Sequence, residues 1–212
     1  REPLICLLAL IIAAIFSPSL ALAQLCSTPP TNGLVGHWAL DEVAGTVAAD
    51  SSGNGNDGTM TGGLSGATDS VTGFVNTALD FDGTDDLVAV PDILPDGQTE
   101  ITASLWIHTS GFDTGGFEEI FDQVKDSTGS DVVWGIYHSN GGAHTRWYTR
   151  NSSDVTRFVA IPDASIPINS WVHLAGTYDG STIRFYLNGV EFGNDTQTGP
   201  LFNSSISAGI GG

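Results

Sequence analysis

Short runs of alternating apolar and polar residues, separated by clusters of glycine, asparagine and aspartate, fill most of this sequence. Such runs are typical of strands that bury one face, because successive side chains on a strand point to opposite faces. In TASLWIHT (102–109), Leu105 and Ile107 share one face. Trp106 and His108 share the other. Helical periodicity is nearly absent and glycine is frequent, so the pattern predicts an all-β chain of antiparallel strands.

Several runs carry this alternation clearly, and they predict strands at 34–40, 86–92, 102–109, 132–138, 145–150 and 170–180. The stretch TIRFYLNGVEFG (182–193) predicts a hairpin. Its centre, Asn188 and Gly189, tolerates the positive φ angles of a two-residue type I′ turn. Many short strands at this spacing, with polar turns between them, indicate a sandwich or a barrel.

The start of the chain predicts a segment that is not part of the fold. Residues 4–16 are continuously apolar, a run too short to span a bilayer comfortably. A Ser-Pro-Ser break and then ALA (21–23) follow, the small-x-small pattern that a signal peptidase cuts. We therefore expect a secretory signal peptide over 1–23, a short linker over 24–32, and a secreted or cell-surface location.

The two ends and the cysteines suggest a longer protein. The sequence begins without Met and stops at AGIGG, so we expect a piece that is truncated at its C-terminus and that has further domains in the same chain. Cys26 is the only cysteine after the predicted signal peptide. It is expected either to pair with a cysteine beyond the sequence or to stay free.

The charge balance excludes one class of partner. The formal net charge is −18 at pH 7. Nucleic acid and anionic lipid need Lys and Arg on the protein for counterion release, so neither partner is expected, nor is membrane insertion after signal cleavage. A surface this acidic favours bound calcium or simple solubility.

Several motifs together resemble one known family. GLVGHWALDE, DSSGNGNDGT, ALDFDGTDDLVAVP, SLWIHT, NSWVHLAGTYDG and FYLNGVEFG occur in the order and spacing of laminin-G-like domains. These domains belong to the concanavalin A-like jelly-roll superfamily. The resemblance runs from about Gly33 to Gly212, so we expect one domain over 33–212.

The resemblance implies a two-sheet antiparallel jelly-roll sandwich of roughly a dozen strands. It also implies a final strand beyond the "IGG" stretch, so the domain is expected to be incomplete, without its closing strand. Family members are often carbohydrate- or protein-binding modules of secreted or cell-surface proteins, and they often carry structural calcium. Fold alone does not fix function, because the superfamily also includes hydrolases.

The stretch DSSGNGNDG (50–58) is a candidate calcium loop. A hard cation takes six to eight oxygens, which a tight glycine-rich turn could supply. The candidate ligands are Asp50, Asn54 and Asn56 from the loop, with Asp41 and Asp179 from elsewhere. The alternative is a plain turn in which Asp50 and Asn54 bond to their own backbone. A second acidic cluster, DFDGTDD (80–86), is expected to be a solvated turn.

The stretch WGIYHSNGGAHTRWYTR (134–150) is a candidate ligand-binding segment, because aromatic rings stack on sugars and polar groups bond to hydroxyls. Its candidate residues are Trp134, Tyr137, His138, Arg146, Trp147 and Tyr148. Exposed Trp147 and Tyr148 rings would favour a ligand, whereas buried rings would not. Trp106 and Trp171 are expected to fill the core instead.

Catalysis is not expected within this sequence. Retaining glycosidases need two carboxylates about 5–5.5 Å apart. The nearest candidates, Glu119 and Asp122, are three residues apart, which places them on opposite faces of a regular strand. A G-x-S-x-G nucleophile elbow is also absent from the sequence.

The sequence thus predicts a secreted, non-catalytic module that binds a carbohydrate or an extracellular protein and carries a structural calcium ion. Two alternatives stay open. The chain could be the targeting module of a larger secreted hydrolase, or a structural segment of a surface adhesion protein.

Overall fold

The structure, a computed structural model, describes residues 33–112, 117–125, 131–139 and 143–212. The predicted signal peptide, the linker and Cys26 lie outside these residues. Within them the strands are Val47–Ala48 (β1), Gly58–Thr61 (β2), Ser70–Thr72 (β3), Thr77–Leu79 (β4), Leu87–Val90 (β5), Ile101–His108 (β6), Phe117–Val124 (β7), Val132–Ser139 (β8), His144–Arg150 (β9), Thr156–Pro162 (β10), Trp171–Tyr178 (β11), Thr182–Leu187 (β12), Val190–Thr196 (β13) and Ala208–Ile210 (β14). A short 3₁₀ helix covers Asp163–Ser165. Among the described residues, no helix has the length and hydropathy needed to cross a membrane.

The strands form two main sheets and one small hairpin. The larger sheet has eight strands in the order β1-β2-β5-β14-β7-β8-β9-β10, and the smaller has four in the order β13-β12-β11-β6. β3 and β4 pair separately. Neighbouring strands run antiparallel throughout these sheets. The prediction of an all-β, two-sheet antiparallel sandwich is confirmed.

The core lies between the facing sides of the two sheets, where alternate residues of each strand are buried. The buried side chains from the two sheets include Trp134, Ile136, Trp147, Ile161, Val172, Leu174, Ile183 and Phe185. Trp147 packs directly on Gly176 of the opposite sheet, where a Cβ would lie 2.0 Å from the indole ring. Only glycine allows this approach, which fixes the Trp147 ring at the centre of the sandwich.

Most strand predictions are confirmed, because their alternation matches the observed burial. β6 and β11 bury Val172 and Leu174 and leave Trp106 exposed, in the pattern predicted for 102–109 and 170–180. The predicted hairpin also forms. Asn188 and Gly189 have φ angles of 51° and 78°, as a type I′ turn requires.

The predicted strand at 34–40 is wrong. Trp38 makes only an isolated bridge to Asp50, and Leu40 has a φ of 55°, which breaks an extended strand. At Gly36 the chain turns so closely on the Trp38 ring that a Cβ would lie 2.1 Å from it. Hydrogen bonds to the 50–58 loop therefore hold this segment in place of a strand ladder.

Candidate functional site

The 50–58 loop is organised around the Asp50 carboxylate. Asp50 accepts hydrogen bonds from the backbone N–H groups of His37, Ser52 and Asn56, each at 2.9 Å. It also accepts one from the Ser52 hydroxyl at 2.7 Å. Burial alone would raise the pKa of Asp50, but these hydrogen bonds favour the ionised form and lower the pKa to about 2.

The side-chain amides of the two asparagines also form hydrogen bonds that hold the loop closed. Asn54 and Asn56 both donate from their side-chain nitrogen to the Val35 carbonyl, at 3.0 and 2.8 Å. Trp38 donates its indole N–H to the Asn56 carbonyl at 2.8 Å. The Asp50 carboxylate thus accepts four hydrogen bonds from within the loop and from the neighbouring His37. The geometry favours the plain-turn alternative.

The other two predicted calcium ligands serve local turns. Asp41 accepts from the Asn76 side chain at 2.9 Å and from the Thr77 backbone at 3.2 Å. Asp179 pairs with Arg184 at 2.6 Å and caps the turn before β12. The Arg184 guanidinium lowers the pKa of Asp179 well below its usual range.

These carboxylates do not converge on one point. Among the described residues, three His, Cys, Asp or Glu side chains bring their ligand atoms within 4.8 Å of one another at Asp82, Asp85 and Asp86. That group belongs to the 80–86 cluster and contains neither Asp41, Asp50 nor Asp179. Calcium binding therefore stays a prediction from the sequence.

The predicted ligand-binding segment is divided between two faces of the larger sheet. Alternation on β8 and β9 directs Trp134 and Trp147 into the core, where they are 1% and 0% exposed. Each donates its indole N–H inside the protein, Trp134 to Gln123 at 2.9 Å and Trp147 to the Thr177 carbonyl at 3.1 Å. Their rings are core residues and present no face for stacking on a sugar.

His138 lies on the same inner face and is also buried. Its Nε2 lies 3.1 Å from both carboxylate oxygens of Asp163, and its ring stacks on Phe112 with the centroids 4.7 Å apart. These contacts give His138 a structural role at one end of the sandwich.

Tyr137, Arg146 and Tyr148 lie together on the outer face of the larger sheet. The two tyrosine rings are 6.0 Å apart between centroids. The Arg146 guanidinium lies over the exposed Phe158 ring, 4.4 Å from its centroid, and reaches the Tyr137 hydroxyl at 3.5 Å. Tyr137 is buried and Tyr148 is half-buried. Phe158 is the most exposed ring of this group, at 44%, and the Arg146 guanidinium covers part of it.

The outer face of the larger sheet also holds the carboxylates of Glu119 and Asp122. The expectation that these two lie on opposite faces is wrong. Glu119 pairs with Tyr137 and Asp122 pairs with Gly135, two positions that share a face of β8. The ladder shifts by one residue between Glu119 and Phe121, so a β-bulge restores the common orientation. A bulge leaves no trace in the alternation of a short run.

The bulge creates an acidic pair with unusual electrostatics. Asp122 is 2% exposed, and its Oδ2 has no hydrogen-bond partner among the described residues. Burial and then the charge of Glu119 raise the pKa of Asp122 to about 8. Burial also raises the pKa of Glu119. Gly135 leaves the space for this side chain, because a Cβ there would lie 2.2 Å from the Asp122 Cβ.

The outer face of the smaller sheet carries a different aromatic group. On the neighbouring strands β6 and β11, Trp106 pairs with His173 and His108 pairs with Trp171. The ring centroids are 5.2 Å apart in the first pair and 5.5 Å apart in the second. We call these four residues the aromatic platform. Its tryptophans sit diagonally, in a checkerboard with the two imidazoles.

The aromatic platform is accessible, which contradicts the expectation that its tryptophans fill the core. Trp106 is 42% exposed, His108 is exposed, and Trp171 and His173 are half-buried. Burial lowers the pKa of His173. The alternation of both runs already opposed these residues to Leu105, Ile107, Val172 and Leu174. That alternation alone places the four residues on one outward face.

A laminin G family model, described as the concanavalin A-like lectin/glucanases superfamily, matches residues 82–212. The match covers more than half of the chain. The chain belongs to this superfamily. The family match confirms the resemblance drawn from the ordered motifs. No curated protein matches this concanavalin A-like chain.

Solved structures support the same fold. The binding domain of Paraclostridial Mosquitocidal Protein 1 has a TM-score of 0.65 and 14% identity over 85% of this chain and 45% of that one. Domain 4 of AbnA, a GH43 extracellular arabinanase from Geobacillus stearothermophilus in complex with arabinotriose, has a TM-score of 0.58 and 22% identity over 84% and 82%. The receptor binding domain of botulinum neurotoxin D has a TM-score of 0.56 and 14% identity over 82% and 45%. The chain spans about half the length of the two toxin domains, and at these identities the likeness concerns the fold alone.

Proposed function

We propose that this concanavalin A-like domain is a non-catalytic carbohydrate-binding module that works outside the cytoplasm. The observation that carries the proposal is the accessible aromatic platform, with its checkerboard of Trp106, His173, His108 and Trp171. The predicted signal peptide over 1–23 supports the location.

The chemistry of the aromatic platform suits a sugar. An indole ring offers a flat apolar surface that packs on the C–H face of a sugar ring, and its N–H can bond to a hydroxyl. Imidazoles beside each indole add further donors or acceptors for hydroxyls. Trp106 and Trp171 have no hydrogen-bond partner for their indole N–H among the described residues, so both donors are left for solvent or a ligand.

The charge of the chain favours a neutral sugar. With a formal net charge of −18, the protein repels polyanionic glycans at long range. Arabinotriose in the related arabinanase domain is a neutral sugar, which supports the same class of ligand without assigning that sugar here.

Affinity electrophoresis through gels containing neutral or acidic polysaccharides tests this proposal. The mature protein should be retarded by at least one neutral polysaccharide, and the double variant Trp106→Ala/Trp171→Ala should lose the retardation. Tyr148→Ala is the matched control, because it removes an aromatic ring from the outer face of the other sheet. Loss of retardation in the control alone would place the ligand on the larger sheet and refute the proposal.

One observation favours a second function, glycoside hydrolysis. The bulge in β7 places Glu119 and Asp122 on one face, and burial raises the pKa of both carboxyls. Glycosidases also use two carboxyls on one face, one of which has a raised pKa and acts as the general acid. Release of reducing sugar from the same polysaccharides tests it. Activity that is lost in Glu119→Gln and in Asp122→Asn would support hydrolysis, and no activity in the unmodified protein would remove it.

A further inference from the structure

The aromatic platform is closed at one end by a ring from outside its two strands. Phe74 stacks on Trp106 with the ring centroids 3.7 Å apart and the planes 16° from parallel. Phe74 is itself 52% exposed, so it is a surface residue that covers another surface residue. Trp171 makes no comparable stacking contact among the described residues; its ring contact is with His108.

The local fold holds Phe74 in this position. The residue lies at the tip of the hairpin formed by β3 and β4. Gly73 admits no side chain, because a Cβ would lie 2.4 Å from the Thr77 carbonyl oxygen. Asn76 has a φ of 51°, and its side chain donates to Asp41. The tight turn and the hydrogen bond from Asn76 to Asp41 together fix the direction in which Phe74 points.

The stack excludes a ligand from the covered face of Trp106. Optimal contact between two rings needs about 3.5–4 Å, so a sugar ring inserted between Phe74 and Trp106 would need about twice that separation. The observed 3.7 Å leaves no room. Phe74 therefore occupies the place that a sugar ring would take on this tryptophan.

We propose that Phe74 is a specificity-determining residue that limits the length of the sugar chain by closing the Trp106 end of the aromatic platform. This inference rests on the proposed carbohydrate-binding function. It predicts that ligands engage Trp171 and the imidazoles first and gain little from units that extend past Trp106. Asp41 is a positioning residue, since it acts through the hairpin turn.

Binding of neutral oligosaccharides of increasing length tests the inference. The probes are linear arabino-oligosaccharides and β-1,4-gluco-oligosaccharides of two to six units, measured by calorimetry on the mature protein. The affinity of the unmodified protein should stop rising at a shorter length than that of Phe74→Ala. The longest probes should bind Phe74→Ala about 3- to 10-fold more tightly than they bind the unmodified protein.

Two further variants serve as controls. Phe74→Trp keeps a ring over Trp106 and should keep the short-chain preference. Asp41→Ala, which loosens the turn, should move the length dependence part of the way toward that of Phe74→Ala. Unfolding temperatures of all variants check that each remains folded.

The possible failures are distinguishable. If Phe74→Ala and the unmodified protein bind and have the same dependence on chain length, the inference about Phe74 is overturned and the carbohydrate-binding proposal stands. If neither protein binds any probe, the inference is overturned together with that proposal. Tighter binding by Phe74→Trp than by Phe74→Ala to the longest probes would also contradict it.

Discussion

Two pairs of tryptophans lie on strands of this protein, and they differ in burial and in the hydrogen-bond partners of their indole N–H groups. Trp134 and Trp147 point inward, are almost fully buried, and donate their indole N–H groups to protein acceptors. Trp106 and Trp171 point outward, and their N–H groups have no acceptor among the described residues. Buried donors need partners and surface donors do not, so the first pair completes the core while the second is available for a ligand.

Trp147 should be the most costly of these residues to remove. Trp147→Ala empties the contact with Gly176 and should lower the free energy of unfolding by about 3–5 kcal/mol. Trp106→Ala, at the surface, should lower it by about 1 kcal/mol or less. Urea unfolding of both variants measures the difference. Trp147→Phe provides a milder change if the alanine variant does not fold, and equal losses at the two sites would contradict the division into core and surface pairs.

The acidic pair on the larger sheet predicts an unusual pH dependence of stability. The folded pKa of Asp122, about 8, lies above that of an unfolded aspartate, about 3.9. Between these values the folded state holds a proton that the unfolded state releases. The contribution of Asp122 to the free energy of unfolding is therefore fully present below pH 4. It falls as the pH rises toward 8, by at most about 1.4 kcal/mol per pH unit.

Asp122→Asn tests this dependence, because the amide stays neutral. The variant should gain stability over the unmodified protein as the pH rises from 5 to 8, measured by urea unfolding at each pH. Asp96→Asn, an exposed substitution with the same change of charge, is the control. An equal pH response in both variants would mean that Asp122 is an ordinary carboxylate and that the outer face of the larger sheet holds no special pair.

The polar groups of the 50–58 loop are expected to stabilise the fold and not to bind a ligand. Asp50→Ala removes the acceptor of four hydrogen bonds and should cost about 1–3 kcal/mol of stability at neutral pH. Because the folded pKa of Asp50 is lowered, its contribution is present above pH 4 and is lost as the pH falls toward 2. Asp57→Ala, which removes a carboxylate that accepts one bond from the Asp50 backbone, should cost less in the same unfolding experiment.

Calcium should have the smallest effect at this loop. Adding calcium and then a chelator should change the unfolding temperature of the unmodified protein and of Asp50→Asn equally, within about 1 °C. The reason is that the loop closes through its own hydrogen bonds. A calcium-dependent gain in the unmodified protein that Asp50→Asn lacks would instead support the calcium-loop prediction.

Much of the fold follows from the sequence because it depends on local rules. Alternation defined β6 and β11, and the Asn188-Gly189 turn defined the hairpin between β12 and β13. The segment at 34–40 also alternates, but hydrogen bonds to a loop more than ten residues away decide its conformation. Contacts at that separation cannot be inferred from a pattern of neighbouring residues.

The candidate site was harder to predict for two different reasons. The bulge that aligns Glu119 with Asp122 depends on how β7 pairs with β8, which no single strand reveals. The aromatic platform, in contrast, follows from the alternation of 102–109 and 170–180. Tryptophan is highly buried on average, which favours the core, but the alternation outweighs that tendency here. The position of Phe74 over Trp106 depends on a separate hairpin and has no local indication.

The most direct test is to follow the indole N–H resonances of the five tryptophans during titration with a neutral oligosaccharide. Arabinotriose and cellotriose are suitable first probes. We expect the Trp171 signal to shift and the Trp106 signal to shift more weakly, while the Trp134 and Trp147 signals stay unchanged. Binding that leaves the Trp106 and Trp171 signals unmoved would contradict the assignment of the ligand to the outer face of the smaller sheet.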